Sequence, residues 1–169
     1  MKFELLLQMP NVTTGVWRRL GVHVFKGKLT LADMDRIATA GDAWLKKHPG
    51  PIVEMVIIFP SEASMTSDER TKMGGMIKKN ESRRAASATV VLASGIVGAI
   101  HRSILTGLQM IAPPPHPTKV FGAVDEGVRW LTPYVQTTCG ADATADAVLT
   151  AVDDLCTLFL AGYVEARTG

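Results

Sequence analysis

The sequence predicts a single α/β domain: a mixed, mostly parallel sheet of about five strands flanked by helices, with an extra amphipathic helix at the C-terminus. Two observations carry this. Ile52-Val53-Glu54-Met55-Val56-Ile57-Ile58-Phe59 is β-branched and almost wholly apolar, which suits a strand covered on both faces. Strand-like runs then alternate with helical patterns, the signature of parallel strands joined by right-handed crossovers. At 169 residues the chain is long enough to bury roughly 70% of its unfolded surface without metal or disulfide support.

Phe3 to Gln8 reads as a short strand, and Gly15 to Lys26 as the second arm of an opening hairpin. Thr30 then caps a helix, with Asp33 at the third position and Leu29 and Met34 as a hydrophobic staple. Met34, Ile37, Ala38, Trp44 and Leu45 make its apolar face, and His48-Pro49-Gly50-Pro51 ends it before the central strand. Glu54, the one charge of that strand, is expected near an end. Thr66 and Glu69 have capping-box spacing for a second helix running to about Arg84, with Met73, Met76 and Ile77 on its apolar side. Gly74-Gly75 inside it costs about 1 kcal/mol per glycine relative to alanine, and would either admit another backbone or leave a kink.

Ala88 to Ala93 reads as a third buried strand, and Ser94-Gly95 opens a third helix with Val97, Ile100, Ile104, Leu108 and Ile111 at helical spacing. Lys119-Val120-Phe121 is a short last strand, followed by a short helix ending by Pro133. Beyond Gly140, an apolar stripe through Val148, Val152, Leu155 and Phe159 opposes Asp146, Asp153 and Asp154. Such a helix needs a docking surface, on the domain or across a homodimer interface. The expected division is residues 1–135 as the domain and 136–169 as linker and C-terminal helix.

Charge is uneven: residues 1–135 hold 17 basic and 11 acidic side chains, and 136–169 hold 1 and 5, so a net +2 divides into +6 and −4. The basic excess peaks at Lys78, Lys79, Arg83 and Arg84 without aromatic interleaving, which reads as a solvated helix face and not a nucleic-acid surface. Two cysteines, Cys139 and Cys156, read as free thiols in a reducing, cytoplasmic setting. No signal-peptide pattern opens the chain, and no apolar run reaches the roughly 20 residues of a membrane helix.

No HExxH, CxxC or phosphate-loop spacing is present, so no metal or cofactor is expected. Ser67, His101 and Asp68 could be assembled as a triad on paper, yet no nucleophile-elbow pattern surrounds the serine. His101 and Arg102, with Ser94, are candidates for a ligand or anion edge near the third helix, a place that a boundary histidine beside the apolar face also explains. Ser64, Thr66 and Ser67 are hydroxyls where a strand hands over to a helix, a position that capping and turn formation also explain.

Gly27-x-Leu29-Thr30-x-x-Asp33, the buried strand, the Met65-Thr66-Ser67 turn, Val90-Val91 and Val120-Phe121-x-x-x-x-Glu126-x-x-x-Trp130-Leu131 together resemble the STAS domains. These are the sulfate-transporter and anti-sigma-factor-antagonist family, including its stand-alone sporulation-antagonist-like members. The resemblance spans about residues 15 to 133 and implies a non-enzymatic module that binds a protein partner, a kinase or regulatory protein. In the antagonists a serine or threonine at the start of the second helix is phosphorylated. Ser67 falls there, flanked by Thr66 and Asp68, with Thr66 in place of the family's aspartate and Glu69 in place of its glycine. The alternative from another class is a carrier or sensor of a small, lipid-like apolar ligand.

Overall fold

A computed structural model describes residues 3–61, 66–93, 95, 98 and 114–168, with side chains of the last stretch to Gly162. Six strands form one sheet in sequential order: β1 (Glu4–Met9), β2 (Val12–Trp17), β3 (Leu20–Phe25), β4 (Ile52–Ile58), β5 (Arg84–Val91) and β6 (Thr118–Phe121). The first three are an antiparallel meander, and β3 through β6 pair in parallel.

The sixth strand comes from the stretch read as one hairpin arm. That stretch breaks at Arg18-Arg19 into β2 and β3, and the turn contains neither glycine nor asparagine. Arg18 instead takes a left-handed conformation, φ 56°, a few-per-cent occurrence for such residues. One tertiary and one local contact hold it there: a bidentate pair to Asp142 at 2.8 and 2.5 Å, and stacking of the guanidinium 4.8 Å from the ring of the preceding Trp17.

The two faces of the sheet differ. On one, Leu20, Val22, Val24, Val53, Met55, Ile57, Ala86, Ala88 and Val90 make a continuous apolar surface. It is covered by α3 (Val124–Cys139) and α4 (Ala145–Thr168). α3 supplies Val128, Leu131 and Val135, and α4 supplies Val148, Val152, Leu155 and Phe159, all buried. The C-terminal helix therefore docks on its own domain. α3 runs through Pro133, where a shorter helix was expected, so the 135/136 boundary falls inside a helix. Proline removes one backbone donor, but Val135 continues the buried stripe of Val128 and Leu131, and packing outweighs the loss. Cys139 thus ends a helix and Cys156 lies within one; both are free thiols.

On the other face, α1 (Leu31–Lys47) covers β1 and β2 through Met34, Ile37 and Trp44. Its capping box is present as expected: Thr30 Oγ1 accepts from the Asp33 amide at 3.2 Å, and Asp33 Oδ2 accepts from the Thr30 amide at 2.9 Å. α2 (Ser67–Lys79) packs chiefly on α1. It ends five residues earlier than expected; a 3-10 turn, Glu81–Arg83, follows, and Arg84 opens β5.

Arg83 and Arg84 are therefore not a solvated helix face. Arg83 donates to the carbonyls of Leu45, His48 and Gly50 at 3.0, 2.6 and 2.7 Å, satisfying acceptors at the end of α1. Arg84 donates to the Ile77 carbonyl at 2.6 Å near the end of α2. Adjacent arginines so anchor the negative ends of two neighbouring helices. Trp17 and Trp44 are buried as expected, while Trp130 is half-buried against Phe121 and Tyr134. The expected third helix, from Ser94 to Ile111, lies outside the described residues.

Candidate functional site at the start of the second helix

β4 delivers the chain to Pro60, and α2 begins at Ser67. Thr66 is the N-cap. Its hydroxyl accepts from the Glu69 amide at 3.3 Å, and Glu69 Oε2 accepts from the Thr66 amide at 2.7 Å, so each of two otherwise orphaned amide donors is satisfied by the other residue's side chain. Glu69 is buried, with Lys28 Nζ 3.3 Å from its other oxygen. The Thr66 amide, opposed by burial and aided by Lys28, holds the carboxyl below its ordinary range. Lys28 precedes α1, so the starts of both helices are joined beyond the C-terminal ends of the parallel strands β3 and β4.

This geometry separates the hydroxyls. Thr66, Ser67, the first helical residue, and Asp68 are all exposed, but the Thr66 hydroxyl is committed to the cap. The Ser67 carbonyl accepts from Thr71 Oγ1 at 3.0 Å, closing the first turn. A negative group on Ser67 would stand at the positive end of α2. Ser64, Ser94, His101 and Arg102 lie outside the described residues, so Thr66, Ser67 and Asp68 are the members of the expected set that come together. Among the described residues no group of three metal-ligating side chains occurs, and no helix is long and apolar enough to cross a membrane.

A second polar feature escaped the sequence reading. On the α1–α2 face, Glu54 sits in mid-sheet, third of the seven residues of β4, not near an end as expected. Arg84 Nε lies 2.7 Å from Glu54 Oε2 and His23 Nε2 lies 3.4 Å from Glu54 Oε1. Thr14 Oγ1 meets His23 Nδ1 at 3.1 Å. Burial alone would raise the Glu54 carboxyl, but His23 and Arg84 outweigh it and hold it at about 2. Because Glu54 pairs across the sheet with Gly21, the neighbouring strand leaves room for the His23 ring. Further along, Ser87 Oγ meets His116 Nε2 at 3.1 Å and Thr118 Oγ1 at 2.9 Å. Burial, then Arg84, lowers the His116 ring below its ordinary value. The available sequence signal was Glu54 itself: a carboxylate within an apolar strand demands a partner.

No family model and no curated protein matches this chain. Among solved structures it is similar to an uncharacterized protein of the DUF3478 family with a SpoIIAA-like fold from Shewanella loihica PV-4. The identity is 14%, the TM-score 0.54, and the match covers 78% of this chain and 96% of that one. The chain thus has a SpoIIAA-like, STAS-like α/β fold.

Proposed function

We propose that this chain is a non-enzymatic, cytoplasmic regulatory module that binds a protein partner through the first turn of α2, with Ser67 as a phosphorylation switch. One observation carries the reading: an exposed Ser67 opens α2 beside a threonine whose hydroxyl the cap already uses. The STAS-like fold supports it, because antagonists of that family are switched at this place. Phosphate on Ser67 adds about −1.5 to −2 charge near helix amides that accommodate it. The helix survives and the corner, already acidic through Asp68, repels an acidic partner and attracts a basic one.

Pull-downs from the native organism with wild type, Ser67→Ala and Ser67→Asp test this. The Asp variant is expected to change the partner set while the Ala variant does not, with all three equally folded. Identical partner sets would eliminate Ser67 as a switch and leave the carrier of a small apolar ligand as the reading to pursue.

A further inference from the structure

α2 is attached differently from every other described helix. Its one buried residue is a glutamate, Glu69, and Ile77 is 50% exposed. Met73 and Met76 only partly enter the cluster beneath α1. Among the described residues, what ties α2 down is chiefly charge: Lys72 to Asp35 and Lys79 to Asp42 on α1, Lys28 to Glu69, and the Arg84 guanidinium to the Ile77 carbonyl. Arg84, at the start of β5, uses the same guanidinium on a polar group of the sheet, Glu54, with His23 behind it.

The helix also carries a built-in weakness. Among the described residues a Cβ placed on Gly74 or Gly75 would meet nothing within 4 Å, so packing against them does not require glycine at either position. The consequence that remains is lower helix stability.

We propose that α2 is a charge-latched helix that leaves α1 and the sheet as one unit when its ion pairs are screened, while α1, α3 and α4 stay docked. Hydrogen exchange measured by mass spectrometry on the full chain tests it. Between about 20 mM and about 1 M NaCl the Debye length falls from more than 20 Å to about 3 Å, and surface pairs lose most of their attraction. Exchange in α2 is expected to quicken about three- to tenfold relative to α4. The Gly74→Ala/Gly75→Ala chain is expected to slow it about tenfold or more. The proposal is overturned if α2 exchanges at the rate of α1 at both salt concentrations, or if all helices respond together. It stands apart from the Ser67 reading: identical partner sets for the Ser67 variants would leave the exchange result untouched.

Discussion

α2 and α4 show two ways of attaching a helix to one sheet. α4 buries Val148, Val152, Leu155 and Phe159 against apolar strands. At about 1.5–3 kcal/mol per buried side chain, the gross contribution is on the order of 10 kcal/mol. α2 relies on surface ion pairs with Asp35 and Asp42, each of about 0–1 kcal/mol. The difference is a matter of what each helix contributes: a stripe of fully buried apolar side chains makes a permanent seat, and two half-buried methionines with surface ion pairs make a releasable one. The fold's candidate switch is on the weakly held helix, in keeping with the general rule that moving elements come from the low-stability end of a structure.

The comparison can be broken at its strong side first. Phe159→Ala removes a ring buried against Phe59 and is expected to cost about 3–5 kcal/mol in urea denaturation. A loss below about 1 kcal/mol would mean that α4 is not part of the cooperative core.

Acid probes the polar row in the sheet. Glu54 is held at about 2, below the ordinary 4.5, so its pairing stabilises the fold above about pH 4.5 and that contribution is lost as pH falls toward 2. The linked change is about 3 kcal/mol. Denaturation profiles across that window are expected to flatten in Glu54→Gln, and an unchanged slope would assign acid sensitivity to other carboxylates.

Capping gives a smaller effect. Thr66→Ala should cost about 1 kcal/mol and, if α2 is a separate unit, should show as faster α2 amide exchange with little change in melting temperature. A matching fall in melting temperature would tie α2 to the core. Smallest of all, Lys72→Met is expected to cost at most about 1 kcal/mol at low salt. That loss should vanish at high salt; a loss of equal size at both salt concentrations would mean that screening does not release the Lys72–Asp35 pair.

Two kinds of feature separate what sequence alone determined from what the assembled fold decided. The capping boxes at Thr30/Asp33 and Thr66/Glu69, the buried character of β4 and the apolar stripe of α4 were all legible, because each depends on residues within a few positions of one another. So was the STAS-like class, and with it the place of Ser67 at a helix start. The Arg18 turn was not legible, since a left-handed arginine is stabilised by Asp142, 124 residues away. Nor was the passage of α3 through Pro133, which Val135 secures by packing on the sheet. Arg83 and Arg84 looked like ordinary surface charge until α1 and α2 brought their carbonyl ends to them, and Glu54 found His23 and Arg84 only once β3, β4 and β5 lay side by side. Local hydrogen bonding and periodicity are written along the chain, whereas burial of a charge or the tolerance of a strained turn depends on partners that sequence separation hides and folding supplies.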